Sequence, residues 1–406
     1  MIDRIEVRGF KSIENVAFEP GVVNVLIGAN GSGKSNLLEA IGVLSAAVSG
    51  RVDDEALLRR GVRPGVPALY KCSFRDIRAP LHIHFGAWFS SASCEVSLFN
   101  PIEDPSPAWR YHTENLKEGG FSLVGRSHRT HPKLKPEAGL VALEIVEMAD
   151  HDDAFQLVDK LRDFAIYTPD TDVLRGIVPD RQPRQPIGLS GGQLANALSE
   201  VLSKMTKIPK TSDADWEEQN KFFKNVYDRT LRLVDWAKAF GPSFAPNIPL
   251  SPSVGSTEKV ISFKDRFMKP GRDILSAYDA SEGALYVLFH AVLAGHSNSP
   301  PILAVDNADH GLNPRLARSL LEAICDWYLD SPYSHQIFLT THNPLSLDGL
   351  PLQNDQVRLF TVSRTEKGRT VVNRLVLDKR LKDMAEKGWS LSRLWVMGHL
   401  GGVANV

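Results

Sequence analysis

Lys34 and Ser35 complete the run Gly28-Ala29-Asn30-Gly31-Ser32-Gly33-Lys34-Ser35, which spells G-x-x-x-x-G-K-S. Glycines let a backbone curl until successive N–H groups point at phosphate oxygens, and a helix starting at the loop adds its positive dipole end. Lys34 is placed to reach β- and γ-phosphates, and the Ser35 hydroxyl to ligate Mg²⁺. Gly28, Asn30, Gly31, Ser32, Gly33 and Asn36 fill out the cradle. A second set of reactive groups lies far along the chain. Asp306 ends the apolar run Pro301-Ile302-Leu303-Ala304-Val305, Asn307 and Asp309 follow it, and His342 closes the stretch Gln336 to Thr341. A carboxylate at the C-terminal edge of a strand orients Mg²⁺, and a histidine on a neighbouring edge can touch a γ-phosphate. These residues predict ATP with Mg²⁺ as the bound pair.

The elements that must hold them are legible beside each motif. Val22, Val23, Val25, Leu26 and Ile27 read as a buried parallel strand, and Leu37, Leu38, Ile41, Leu44 and Val48 recur at helical spacing after the loop. Ile2 to Phe10 reads as a strand. Leu81 to Phe89 and Cys94 to Leu98 alternate with period two, and Leu140 to Met148 is another strand candidate, so an antiparallel β-subdomain is expected beside the core. Asn100 to Pro107 and Gly119 to Pro136 are rich in Pro, Gly and polar residues and read as loops. From Asp152 to about Phe240 the pattern is helical, clearest over Trp216 to Phe240, with Asp213 to Glu218 favouring that helix's start. Gly241 to Ser256 is a Pro/Ser-rich break. Residues 1–150 therefore read as a first ATPase lobe, 151–255 as a helical insertion and 256–406 as a second lobe. The fold class is α/β, with a mostly parallel core sheet.

The composition narrows the function. The chain has 406 residues, 43% of them apolar and 23% charged, which describes a folded protein with ample core. A formal net charge of −1 gives no overall pull toward nucleic acid or anionic membrane, so any nucleic-acid surface must be local. Arg126, His128, Arg129, His131, Lys133 and Lys135 form one basic loop that either touches phosphates or is simply solvated. His82 and His84 share a strand face as a metal pair without a third ligand, or as a plain sheet surface. Cys72, Cys94 and Cys325 have no metal spacing, and no segment approaches a membrane span, so a cytoplasmic setting is expected.

The order phosphate loop, long insertion, Ser281-Glu282-Gly283, apolar strand with Asp306, Gly311-Leu312-Asn313-Pro314, Thr340-Thr341-His342 resembles the SMC/RecF/OLD branch of ABC-type ATPases. It is similar to the compact bacterial AAA family ATPases found beside antiphage effectors. Gly9-Phe10-Lys11-Ser12 fits that group's opening strand and Leu394-Trp395 to Gly402 its C-terminal end. The resemblance implies a P-loop ABC-type head that forms a homodimer or higher homo-oligomer around ATP. Ser281, Glu282 and Gly283 would then serve as a signature facing the Lys34 of a second copy. Leu189-Ser190-Gly191-Gly192-Gln193 spells the signature letter for letter, but it lies far upstream of Asp306, whereas a single helix separates Ser281 from it. Residues 189–193 are therefore expected to be an ordinary helix cap.

Two departures follow. Asn307 stands where relatives place a glutamate base, which predicts slow hydrolysis or a nucleotide-dependent scaffold, with Asp309 able to act through a water. No glutamine occurs between Asn36 and Phe155, so another group must replace the usual Mg²⁺-ligating one. No carboxylate cluster follows His342, so no intrinsic nuclease is expected and a separate effector, nuclease or toxin, would act downstream. A RecF-like DNA-repair ATPase is the alternative reading.

Overall fold

In the computed structural model, residues 1–126, 135–144, 152–206, 214–250 and 259–401 are described. The strands are β1 (Arg4–Phe10), β2 (Ile13–Phe18), β3 (Val23–Ile27), β4 (His82–Phe89), β5 (Ala92–Phe99), β6 (Arg110–Glu118), β7 (Phe121–Arg126), β8 (Ala165–Tyr167), β9 (Ala237–Phe244), β10 (Lys259–Asp265), β11 (Ile274–Ser276), β12 (Ile302–Val305), β13 (Gln336–Thr340), β14 (Val357–Arg364) and β15 (Thr370–Leu375). The core sheet runs β15-β14-β3-β13-β12-β8, parallel except for the edge strand β15. A second sheet, β2-β1-β4-β5-β6-β7, is antiparallel throughout, and β11-β10-β9 form a small third one.

Alternation along the core strands divides the hydrophobic interior. Leu26, Ile302, Ala304, Phe338 and Phe360 face a cluster shared with the helix Lys34–Val48 and the antiparallel sheet. Val23, Val25, Leu303, Val305 and Leu339 face the helices Glu282–Gly295 and Pro314–Leu329. Strands covered on both faces must be apolar without a break, which is why β3 is buried at every position. The helix Lys34–Val48 lies between two sheets. Leu37, Leu38, Ile41, Leu44 and Val48 are all buried, each worth roughly 1.5–3 kcal/mol. That packing fixes the phosphate loop against the sheet edge.

Several expectations are corrected. The block 151–255 is not a continuous helical insertion. The helix Asp153–Arg162 packs into the same cluster as the helix Lys34–Val48, and β8 then joins the core sheet beside β12. The long helix is Ala214–Leu233, after which the chain turns into β9, so Ala237–Phe244 is strand rather than helix or break. Residues 119–126 are not loop: Gly119 and Gly120 turn β6 into β7. Of the strand candidate Leu140 to Met148, the described residues 140–144 are not strand. The buried Glu114 carboxylate accepts the N–H groups of Leu140 and Val141 (2.7 and 2.8 Å), which starts the helical turn Val141–Glu144. Residues 145–150, and with them the rest of that candidate, lie outside the described residues. So do His128, Arg129, His131 and Lys133 of the basic loop, Asp213, residues 251–256 and Gly402.

Candidate nucleotide site

The phosphate loop joins β3 to the helix Lys34–Val48 at the C-terminal edge of the core sheet. Gly33, the residue before the helix, has φ of 113°, and a Cβ there would lie 2.3 Å from Thr370 Oγ1. Only glycine fits both demands. Thr370 in turn donates to the Ser32 carbonyl (2.9 Å), shares a hydrogen bond with Ser12 Oγ (2.8 Å), and Asn36 Nδ2 donates to the same Ser12 (2.7 Å). The loop is thus pinned to β15 and to the turn between β1 and β2. Gly9-Phe10-Lys11-Ser12 matters for that reason, and Lys11 also pairs with the buried Glu39, which Arg63 Nε reaches at 2.6 Å.

Lys34 is buried, its ammonium donating to the carbonyls of Gly28 (2.7 Å) and Ala29 (3.1 Å). Burial pushes its pKa down to about 8, and only the charge of Asp306 opposes the shift. Ser35 Oγ donates to Asp306 Oδ2 at 2.9 Å, and Thr340 Oγ1 donates to Asp306 Oδ1 at 2.6 Å. Two cis ligands on an octahedral magnesium ion sit about 3 Å apart, so Ser35 and Asp306 have the separation and hard oxygen donors that this ion needs. Among the described residues no cluster of three metal-ligating side chains occurs, so the remaining ligands would be phosphate and water. The cradle fits a triphosphate as well. Ser32 Oγ is buried without a partner, and the helix Lys34–Val48 begins with no acidic residue and no side-chain cap. His82 stacks on His112 (3.8 Å) and His84 Nδ1 bonds Ser97 Oγ (3.0 Å), so that pair belongs to the sheet surface.

Asn307 follows Asp306 with φ of 58°, a left-handed turn that asparagine tolerates better than most residues, and its N–H donates to Thr340 Oγ1 (2.8 Å). Asp309 Oδ2 accepts from the Thr341 hydroxyl and the Asn343 N–H (2.9 Å), so this carboxylate shapes the turn that carries His342. His342 is exposed; desolvation and then the Lys34 charge lower its pKa, with Asp309 and Asp306 opposing. Sequence reasoning missed the far wall. Asp306 N–H donates to the Tyr167 carbonyl (2.9 Å), and a cavity of ≈ 520 Å³ brings Thr168, Asp170, Arg181 and His310 beside Asp306 and Asn307. Thr168 and Asp170 place oxygen atoms on that wall, the Asp170 carboxylate also accepting from the Asp172 and Val173 N–H groups. The three-residue strand β8 gave no periodic signal by which to find them.

Ser190 also lines that cavity, but the loop 189–193 has its anion already. Ser190 and Gly192 donate their N–H groups to Asp180 Oδ2 (2.9 and 3.0 Å). A Cβ at Gly188 or Gly192 would come within 2.2 or 2.6 Å of Asp180, and one at Gly191, whose φ is 103°, within 2.4 Å of Leu174, so close packing accounts for these glycines. Ser281, in contrast, is exposed before the helix Glu282–Gly295. Glu282 accepts from Thr171, and Gly283 packs on Leu316.

A charged Lys34 is what phosphate needs, and this gives a pH prediction. Above the free-site pKa of about 8, ATP must recapture one proton. Affinity for MgATP should stay level up to that pH and then weaken about tenfold per pH unit until the bound-state pKa is reached. Equilibrium titrations with a fluorescent ATP analogue from pH 6.5 to 9.5 measure it, and a level profile to pH 9.5 would remove Lys34 from the phosphate contact.

The arrangement is that of an ABC-type ATPase of the SMC/RecF branch. The chain belongs to the family described as "AAA domain, putative AbiEii toxin, Type IV TA system", whose model matches residues 23–348. It is 41% identical over 78 residues to the DNA replication and repair protein RecF of Magnetococcus marinus, covering 19% of this chain and 20% of that one. RecF of Ligilactobacillus salivarius is 48% identical over 56 residues, 13% of this chain and 14% of the relative. The chain thus spans a fifth or less of the length of these relatives. Among solved structures, an Smc head bound to the C-winged helix domain of ScpA superposes with a TM-score of 0.54 at 15% identity, over 93% of this chain and 99% of that one. The Smc head with an extended coiled coil from Pyrococcus furiosus gives 0.50 at 12% identity, over 96% and 99%. At those identities the likeness establishes the fold. No helix among the described residues is long and apolar enough to cross a membrane.

Proposed function

We propose that this chain is an ATP-operated switch of the cytoplasm that closes into a homodimer around two magnesium nucleotides and gates a separate effector. Lys34, Ser35 and Asp306 hold MgATP in one copy, and Ser281, Glu282 and Gly283 of the other complete the site. The observation that carries this reading is the placement of Ser281. It is exposed at the start of its helix, on a groove that shares no lining residue with the cavity at Asp306, which favours contact with a partner's nucleotide over its own. Asn307 makes hydrolysis slow and the closed state long-lived, because an amide orients water without accepting its proton. The toxin and type IV toxin–antitoxin terms in the family description favour a nuclease or toxin effector and a role in antiphage defence.

The test is sedimentation with and without MgATP. Ser281→Arg should abolish ATP-driven dimerisation, since a bulky cation would sit in the closed interface. Ser190→Arg should leave dimerisation intact at saturating MgATP, because that loop is held by Asp180; MgATP affinity is titrated alongside, since Ser190 also lines the cavity at Asp306. The reverse pattern would overturn the assignment. The short but high-identity RecF matches favour a second reading, a clamp that loads on DNA in its ATP state. ATP-dependent DNA binding that weakens steeply with salt would select it.

A further inference from the structure

Thr340 closes β13 as a fully buried polar residue. A hydroxyl shut off from water must place its proton and its lone pairs inside the fold. Thr340 Oγ1 donates to Asp306 Oδ1 at 2.6 Å, the length of a charge-assisted bond to a carboxylate, and accepts the Asn307 N–H at 2.8 Å. Its backbone carbonyl accepts the Ala308 N–H at 2.9 Å. One residue of β13 therefore holds Asp306, Asn307 and Ala308 in place. Its neighbours are engaged elsewhere. The Thr341 hydroxyl turns to Asp309, and the Lys34 ammonium to the carbonyls of Gly28 and Ala29.

The Thr340 bond makes the two oxygens of Asp306 unequal. Oδ1 is occupied by Thr340, and Oδ2 faces Ser35 Oγ, 2.9 Å away. A cation seated beside Ser35 thus meets one carboxylate oxygen. That distinction matters between hard divalent cations. Mg²⁺ demands a near-ideal octahedron with ligands at about 2.0–2.1 Å, which a carboxylate serves through one oxygen. Ca²⁺ takes roughly six to eight oxygens at about 2.3–2.6 Å, and readily spans both oxygens of a carboxylate.

We infer that the Thr340 hydroxyl sets the metal selectivity of the nucleotide site: by occupying Oδ1 it restricts Asp306 to one oxygen donor and so favours Mg²⁺ over Ca²⁺. The inference rests on the assignment of Lys34, Ser35 and Asp306 to MgATP proposed above, and not on dimer closure or an effector. Thr340 acts through Asp306, which makes it a positioning residue. Valine would fill the same space in β13. It would also leave Oδ1 free to turn to the cation and the Asn307 N–H without its acceptor.

Equilibrium titrations of the full chain with a fluorescent, non-hydrolysable ATP analogue, in Mg²⁺ and separately in Ca²⁺, test this without turnover. Wild type should bind at least about tenfold more tightly with Mg²⁺. Thr340→Val should narrow that preference about tenfold, the lower end of what an outer-shell partner contributes to metal affinity. Thr340→Ser keeps the hydroxyl and drops only a methyl group, so it should hold the ratio within about twofold of wild type. A general loss of stability weakens binding with both cations alike and leaves the ratio where it was. Three results would overturn the inference: equal binding with the two cations in wild type, a loss in Thr340→Val that is the same for both, or a serine variant that loses the preference as far as valine does. If Thr340→Val does not fold, Thr340→Ala deletes the hydroxyl without the branched bulk and is read in its place. Lys34→Ala marks the baseline without nucleotide. Wild type at that baseline with both cations would refute the nucleotide site itself, and the role of Thr340 with it.

Discussion

Lys34→Ala is expected to lower affinity for MgATP by roughly 30- to 5000-fold, the range for removing one partner of a desolvated charge contact worth about 2–5 kcal/mol. The unliganded fold should not suffer. Burial pushes the Lys34 pKa from 10.5 to about 8, which means the folded chain holds the ammonium less readily than the unfolded chain does. That cost is fully present below pH 8 and vanishes as pH rises past the unfolded value, so at pH 7 the alanine variant is relieved of it. Loss of the hydrogen bonds to the Gly28 and Ala29 carbonyls offsets part of the relief. The expected pair of observations is a melting temperature equal to or above wild type without nucleotide, and no upward shift when MgATP is added. An unchanged affinity in calorimetric titration would refute the site. A collapsed melting temperature would instead make Lys34 structural.

The same contrast explains what could be read from the chain beforehand. The phosphate loop was legible because its strand, glycines and helix are contiguous, and each obeys a local rule. The strands leading to Asp306 and His342 were legible for the same reason, each an apolar run that parallel packing buries on both faces. The wall of the site was not. Ala165-Ile166-Tyr167 is too short for any period to show, and only pairing with β12 makes it a strand that carries Thr168 and Asp170 to the edge. Residues 189–193 mislead in the opposite direction: five letters match a phosphate-facing signature, yet Asp180, supplied from earlier in the chain, occupies the N–H groups. The helical start at Val141 likewise depends on Glu114 from β6, a contact no local window contains. Local chemistry was therefore visible wherever a motif is contiguous in sequence, and hidden wherever its partner arrives through the fold.

Asn307→Glu should raise single-turnover hydrolysis by about a hundredfold, the lower range of what a positioned general base contributes. Single-turnover conditions matter because product release or dimer opening could limit the steady state and mask a faster chemical step. The backbone sets a cost. Asn307 has φ of 58°, and an L residue without asparagine's short amide pays roughly 1–2 kcal/mol there. The variant should therefore melt a few degrees lower while cleaving ATP faster, a stability loss coupled to a gain in rate. Asn307→Asp separates the two effects. Its carboxylate is shorter but tolerates the left-handed turn, so stability should be retained with a smaller gain in rate. If both variants leave the chemical step flat, the missing base is not what limits hydrolysis. The remaining candidates are then His310 and the Thr168–Asp170 edge, which share the cavity with Asn307.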